Sequence, residues 1–266
     1  MILTKETNRV YFIDQNGDIF NELDFNEVLK GEFVLKRSRT PFQFNDSSLI
    51  FTLGYRGVKT SFQTDRGMRN YSREKLEAKQ ILKVSNFRND SIVTSIVLPN
   101  IRSRFMSSHD LQAEGSGLSF ENRIIFKSYY SDSIYLINSK DLRVSVVEQV
   151  KSKYSNIRIR PVAYNEYSLV NENLTSNGRI EQVLYDETQN IYYCIVNHKR
   201  FENDRPWSII VLDGDLKKVD EILMDGSKYN PSVFLSKNGL LISNYNETKN
   251  DSDFYLKNTM ELFRYE

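Results

Sequence analysis

Four short apolar runs between residues 179 and 223 constrain the fold of this chain most strongly. The runs are Ile180–Tyr185, Ile191–Val196, Trp207–Leu212 and Val219–Leu223. Turn-forming residues such as Asn, Asp and Gly separate them, which is the pattern of short strands joined by turns. The sequence therefore predicts a four-stranded antiparallel meander, the unit from which a β-propeller is assembled.

Similar series of runs recur along the chain. Residues 118–150 hold a second copy, residues 231–266 hold a third copy with three visible runs, and the hairpin around Asn16-Gly17 matches the last two strands of the unit. The repeat is about 55–60 residues long, and a fixed internal period is typical of propellers. We therefore predict an all-β fold over residues 1–266, a single β-propeller domain of about five to six four-stranded antiparallel blades. In this prediction the set of blades can be incomplete at the N-terminus of the chain. The N-terminal region is expected to pair with the last repeat and complete the final blade.

The composition bounds the classes of function. The 266 residues are 39% hydrophobic and 27% charged, which is typical of a globular protein. The net charge of +1 gives no basic excess, so we expect no nucleic-acid partner. No apolar run approaches the ~20 residues of a membrane span. The protein is expected to be a monomer. Cys194 is the single cysteine, so an intrachain disulfide is excluded.

The C-terminal third of the sequence resembles a known family. The similarity lies in the strand pair LYD…IYY (184–193), the strand WSII (207–210), the segment YNP (229–231) and the run NGLLIS (238–243). These resemble a family of uncharacterised six-bladed-propeller-like proteins, found mostly in Bacteroidetes and often exported as lipoproteins. The resemblance implies a propeller fold and a location in the periplasm or at the cell surface. A cytoplasmic location is the alternative, because the N-terminus lacks the pattern of a signal peptide.

Motifs for catalysis or cofactor binding are not found in the sequence. It has no GxSxG, Walker A, GxGxxG or HExxH pattern, so no catalytic residue is assigned and no cofactor is expected. The two histidines, His109 and His198, are too far apart in sequence for a zinc motif, and no metal site is assigned.

Long polar loops are the best candidates for a binding site. In a propeller the connections between blades, and those between the second and third strands of a blade, emerge on one face, here called the long-loop face. It would collect residues 100–117, 164–178, 197–206, 225–231 and 245–259, and long loops in compact domains are usually functional or disordered. The candidate ligand-binding residues are Arg104, His109, Asp110, Glu172, His198, Arg200, Arg205, Tyr229 and Tyr245.

Two functions are compatible with this face. The first is a non-enzymatic propeller that binds a protein or carbohydrate ligand. The alternative is a hydrolase or lyase acting on a sugar or lactone at the mouth of the central channel, with a divalent ion held by Asp and Glu in one version. This alternative rests on analogy between propellers.

Overall fold

The fold is built from β-strands that pair mainly with their neighbours in the sequence. The computed structural model of the protein describes residues 2–4, 9–26, 33–35, 44–45, 48–55, 81–85, 92–96, 115–120, 123–128, 132–157, 172, 176–198, 206–244 and 259–265. Within these residues, every element with defined bounds is a strand, and the strands form antiparallel sheets. The predicted all-β class is therefore confirmed.

Two structural units share the chain. Unit 1 comprises residues 1–129, 134–147 and 160–170, and unit 2 comprises residues 130–133, 148–159 and 171–266. The strands of unit 1, including two that cross its border, are β1 (Ile2–Thr4), β2 (Arg9–Ile13), β3 (Ile19–Asp24), β4 (Phe33–Leu35), β5 (Phe44–Asn45), β6 (Ser48–Tyr55), β7 (Ile81–Ser85), β8 (Ile92–Ile96), β9 (Gly115–Phe120), β10 (Arg123–Ser128), β11 (Ser133–Asn138) and β12 (Val144–Gln149). The strands of unit 2 are β13 (Arg179–Asp186), β14 (Ile191–Asn197), β15 (Trp207–Leu212), β16 (Lys218–Met224), β17 (Tyr229–Ser236), β18 (Gly239–Asn244) and β19 (Thr259–Phe263).

Unit 1 contains the hairpin predicted at the N-terminus. Strands β2 and β3 pair antiparallel and are joined by the turn that holds Asn16 and Gly17. Gly17 has a φ of 93°, a backbone conformation that glycine adopts without strain. The strand predicted at residues 80–84 is present as β7, and strands β9 to β12 form one sheet in sequence order.

Unit 2 contains the predicted meander. Strands β13, β14, β15 and β16 form a four-stranded sheet in sequence order, and every pair in it is antiparallel. Strands β17, β18 and β19 form a three-stranded sheet, in agreement with the three apolar runs of the last repeat.

The hydrophobic core of unit 2 lies between these two sheets. One face of the first sheet presents Tyr193, Ile195 and Trp207, and these side chains pack against Val233 and Ile242 of the second sheet. Trp207 is completely buried, and its indole Nε1 donates a hydrogen bond to the Tyr229 carbonyl oxygen at 2.9 Å. Residues at alternate positions of each strand form this core, as expected for sheets that pack face to face.

Short turns that depend on aspartate close several strand pairs. Asp213 Oδ1 accepts hydrogen bonds from the backbone N–H groups of Asp215 and Lys217, both at 2.9 Å. Asp14 does the same in the N-terminal hairpin, for the N–H groups of Asn16 and Asp18. Aspartate can replace backbone hydrogen-bond partners in this way, which explains how a chain with few Gly and Pro residues forms its turns.

Leucine occupies the left-handed position in two of the turns. Leu142 and Leu216 have φ values of 57° and 65°, and both side chains are buried. The left-handed conformation costs a residue with a Cβ atom roughly 1–2 kcal/mol. Burying a leucine side chain contributes about 1.5–3 kcal/mol, which offsets that cost.

The predicted run at 167–170 falls outside the described residues. The single-domain organisation, the number of blades and the completion of the final blade by the N-terminal region stay predictions.

Candidate functional site

One end of the unit 2 sheets carries their two longest connections, 198–206 and 245–258. The strand register aligns Arg179, Asn197, Trp207 and Met224 across the first sheet. The connections 198–206 and 225–228 leave from this end, and 245–258 leaves from the same end of the second sheet, next to Asn244. We call this end of the two sheets the loop end. The prediction that these connections emerge on the same side agrees with the strand ends from which they leave.

His198, the first residue after β14, lies in a buried polar network at the loop end. Its side chain is 3% exposed. Its ring Nδ1 lies 2.6 Å from Ser155 Oγ, and its Nε2 lies 2.9 Å from Ser208 Oγ. The His198 backbone N–H also donates to the Pro206 carbonyl oxygen at 3.0 Å, which closes the base of the loop between β14 and β15.

Glu221 of β16 is the anion of this network. Its Oε1 accepts hydrogen bonds from Ser208 Oγ at 3.0 Å and from Ser152 Oγ at 2.5 Å. Its Oε2 accepts hydrogen bonds from the Lys153 backbone N–H at 2.7 Å and from Lys218 Nζ at 2.6 Å. Burial alone would raise the pKa of the Glu221 carboxyl, but these donors outweigh it and hold the pKa below its usual range. Glu221 is therefore ionised at neutral pH.

The hydrogen-bond pattern determines which histidine nitrogen carries the proton. An ionised carboxylate only accepts, so the single proton of Ser208 Oγ is committed to Glu221. Ser208 Oγ can then only accept from His198, which places the imidazole proton on Nε2. Burial lowers the pKa of His198, so the ring is neutral at pH 7 and its Nδ1 lone pair faces the Ser155 hydroxyl.

A segment before β13 is fixed to the sheet by this network. We call residues 150–157 the strap. Besides the Ser152, Lys153 and Ser155 contacts, Lys218 Nζ donates to the Lys151 carbonyl oxygen at 2.8 Å. The Gly178 backbone N–H donates to the Asn156 carbonyl oxygen at 2.8 Å. A Cβ atom at Gly178 would lie 2.3 Å from Ser155 Oγ, so this close approach requires glycine.

A second polar cluster lies at the loop end of the three-stranded sheet. The Tyr229 hydroxyl donates to Glu261 Oε2 at 2.7 Å, and Asn244 Nδ2 donates to Glu261 Oε1 at 2.9 Å. Lys228 Nζ lies 3.4 Å from Glu261 Oε1 and 4.6 Å from the centre of the Tyr229 ring. The Tyr229 hydrogen bond is the main cause of the lowered pKa of Glu261. Glu261 therefore presents a negative charge on a partly exposed surface at neutral pH.

The neighbouring sheet repeats part of this arrangement. Asn197, at the loop end of β14, donates through Nδ2 to Glu181 Oε1 at 2.9 Å. Arg179 forms an ion pair with the same carboxylate. Each of the two sheets therefore holds a glutamate at the loop end through an asparagine amide and a basic side chain.

Three of the predicted ligand-binding residues lie in the described part of the chain. Glu172 is exposed, and its carbonyl oxygen accepts a hydrogen bond from Ser176 Oγ at 2.6 Å. His198 is in the buried network. Tyr229 was expected in a loop, and this is wrong, because it begins strand β17 and its ring packs edge-on against Phe263. The predicted residues outside the described part are Arg104, His109, Asp110, Arg200, Arg205 and Tyr245.

Sequence reasoning missed most of the network around His198. Ser152, Ser155, Ser208 and Glu221 are common residue types without a motif spacing, and Ser152 and Glu221 lie far apart in the sequence. Ser208 lies between Trp207 and Ile209 in an apolar run, so a polar residue inside a buried strand was the one available signal. Cys194 is fully buried, as predicted from its place within a strand.

Among the residues that the structure describes, no group of three or more His, Cys, Asp or Glu side chains is placed to hold a metal ion. No helix in that part of the chain has the length and hydrophobicity needed to cross a membrane.

Comparison with solved structures places this fold among known ones. A member of the DUF4221 family from Bacteroides vulgatus matches with a TM-score of 0.66 and 20% identity, over 89% of this chain and 67% of that chain. The β-propeller domain of Cps50 (Swd1) from Myceliophteria thermophila matches with a TM-score of 0.43 and 12% identity, over 91% of this chain and 61% of that chain. Hsv2 from Kluyvelomyces marxianus matches with a TM-score of 0.34 and 10% identity, over 76% of this chain and 41% of that chain. No protein-family model matches the sequence, and no curated protein matches it.

The DUF4221 structure shows the fold of this chain. At 20% identity the similarity extends to the fold alone. The resemblance to an uncharacterised Bacteroides-type family, predicted from the C-terminal sequence, is confirmed at that level. Together with the sequential four-stranded antiparallel sheets, it confirms the predicted β-propeller fold.

Proposed function

We propose that the protein functions by binding a protein or glycan partner through the loop end of unit 2. The supporting observation is the contrast between the two ends of its sheets. At one end the strands are joined by short turns such as Asp213–Lys217, which their own hydrogen bonds hold closed. At the loop end the connections 198–206 and 245–258 are long. Binding residues are concentrated in long connections that a rigid scaffold positions.

The chemistry of the loop end fits a polar partner. Glu261 is ionised, Lys228 is exposed, and Asn244 fixes the Glu261 carboxylate through its amide. A few fixed polar groups that converge on one surface give orientation and specificity in binding sites. The hydroxyl and amide groups of a glycan, or the polar rim of a protein interface, are the matching chemistry.

A glycan array tests this proposal. We expect labelled wild-type protein to bind a restricted set of glycans, and Lys228→Glu to reduce that signal about tenfold, because a charged hydrogen bond contributes about 1.5–3 kcal/mol. Lys217→Glu is the matched control, since Lys217 is an exposed lysine at the opposite end of the sheet. For a protein partner, the same two variants are compared in pull-downs from the source cells. Binding that Lys228→Glu leaves unchanged, or that both variants reduce equally, would contradict the proposal.

We also propose a location in the periplasm or at the cell surface, with the cytoplasm as the alternative. The support is the sequence resemblance to a family that is often exported. Immunodetection in fractionated cells expressing the complete gene tests it, and exclusive recovery from the cytoplasmic fraction would contradict it.

A further inference from the structure

We propose that Ser155 is a reactive nucleophile, activated by His198, that accepts an acyl group from an ester or lactone. This goes beyond the proposed binding function and does not depend on it. A hydrolase acting on a lactone is the alternative function that the sequence suggested. The nucleophile of such a hydrolase is here assigned to Ser155, and its reaction requires no metal ion.

The geometry is that of a nucleophile paired with a general base. Ser155 Oγ lies 2.6 Å from His198 Nδ1, and the proton assignment leaves the Nδ1 lone pair directed at this hydroxyl. A nucleophilic serine requires a base within about 2.6–3.2 Å, and that base is in turn oriented by a third group. Here Ser208 is that third group, because its Oγ accepts a hydrogen bond from the His198 Nε2–H group, with 2.9 Å between Nε2 and Oγ.

Glu221 completes the arrangement as a positioning residue. It holds Ser208 through the hydrogen bond at 3.0 Å, so the Ser208 lone pair stays directed at the imidazole. It also stabilises the imidazolium that forms when His198 takes a proton, because its negative charge is one hydroxyl group away. Ser155, His198, Ser208 and Glu221 therefore form a continuous hydrogen-bonded chain from a hydroxyl group to a carboxylate.

Only Ser155 among the three serines of this network has an effective base. Ser152 and Ser208 both donate to Glu221, whose four hydrogen-bond donors make it a weak base. Ser208 is also fully buried, whereas Ser155 is half-buried on the strap. The neighbouring Tyr154 is 47% exposed, and its ring contacts the His198 ring with centroids 5.7 Å apart. An acyl donor that approaches Ser155 would therefore meet an aromatic side chain.

The reaction balances without any further reagent. Ser155 Oγ attacks the acyl carbonyl carbon and transfers its proton to His198 Nδ1. The bond from that carbon to the leaving alkoxy oxygen breaks, and the oxygen takes the proton from His198. Water then attacks the acyl–serine ester, again with His198 as the base, and releases the carboxylic acid and free Ser155.

Covalent labelling with a fluorophosphonate tests the proposal. The full-length protein is incubated with the reagent, and the modified residue is identified by peptide mass spectrometry. We expect labelling at Ser155 that Ser155→Ala abolishes and His198→Gln slows at least about 100-fold, since a general base contributes about 10²–10⁴. Ser236→Ala is the control, because Ser236 is a partly exposed serine at the end opposite the loop end, and this variant should keep the wild-type rate.

A second measurement keeps the test decisive if His198→Gln does not fold. The wild-type labelling rate should be constant from pH 8 to 7 and fall in more acidic buffer as His198 takes up a proton. Hydrolysis of p-nitrophenyl acetate should follow the same profile. The proposal is overturned if the wild type is not labelled, if the label lies on another serine, or if the rate is insensitive to His198→Gln in a folded variant. Any of these results would leave the network with a purely structural role.

Discussion

Ser208→Ala measures how much the buried polar network stabilises unit 2. The Ser208 side chain is completely buried, with its Oγ 2.9 Å from His198 Nε2 and 3.0 Å from Glu221 Oε1. Alanine fits the same space, so the change removes hydrogen bonds and creates almost no cavity. The His198 Nε2–H would lose its acceptor inside the protein, while Glu221 would retain its three other donors.

The expected loss follows from the cost of an unsatisfied buried donor. That cost is about 1–3 kcal/mol, so the free energy of unfolding of Ser208→Ala should be lower than that of the wild type by this amount. Urea titration followed by Trp207 fluorescence measures it directly, because Trp207 is the single tryptophan and is buried beside Ser208. Far-ultraviolet circular dichroism provides an independent transition.

The control for this experiment is Ser152→Ala. Ser152 also donates to Glu221, but it lies half-buried on the strap, where water can replace the lost hydroxyl group. We expect a loss below about 1 kcal/mol for this variant. A Ser208→Ala effect below about 0.5 kcal/mol, or one equal to that of Ser152→Ala, would refute the conclusion that the network is stabilising.

Two further predictions concern a turn and the pH dependence of stability. Gly239→Ala should lower the free energy of unfolding by more than about 1 kcal/mol, because its φ is 127° and a Cβ would lie 2.3 Å from the Phe263 carbonyl oxygen. Gly17→Ala, at a φ of 93° with open space around it, should lower the free energy of unfolding by less. Equal losses for the two variants in urea titrations would show that the contact with the Phe263 carbonyl oxygen has no effect. Burial lowers the pKa of His198 in the folded protein, so the unfolded chain takes up the proton first and stability falls as the pH drops below about 6.5. Thermal unfolding at pH 8, 6.5 and 5.5 should show this fall in the wild type and a smaller fall in His198→Gln. Equal dependence of the unfolding temperature on pH in the two proteins would contradict this prediction. The lowered pKa of Glu221 causes a further loss of stability only at pH values below about 4.5.

The strands were predictable because they satisfy strong local rules. Runs such as Trp207–Leu212 alternate with turn residues, and Asn16-Gly17 marks a hairpin whose backbone requires a positive φ. The order of the strands within each meander followed from the short connections, because neighbours in sequence pair when a turn joins them.

The buried polar network was not predictable for a physical reason. Its hydrogen bonds join the strap to β16, and strands β13, β14 and β15 lie between these residues in the sequence. Glu221 lies next to Asp220 in a mixed polar run, where a solvent-exposed side chain is the ordinary expectation. Only the assembled sheet shows that the two neighbouring carboxylates differ, with Glu221 buried and Asp220 partly exposed.

The aspartate turns at the end opposite the loop end have a consequence for how such a chain can diversify. At Asp213 one carboxylate oxygen holds two backbone N–H groups, and the buried Leu216 anchors the same turn to the interior. An insertion there would break both attachments at once, so changes in length are costly on that side. At the loop end, β18 and β19 pair with each other on either side of the connection 245–258, so new recognition surfaces can be added there while the sheet keeps its register. The connections at the loop end can therefore acquire a new partner without any change to the turns that close the opposite end.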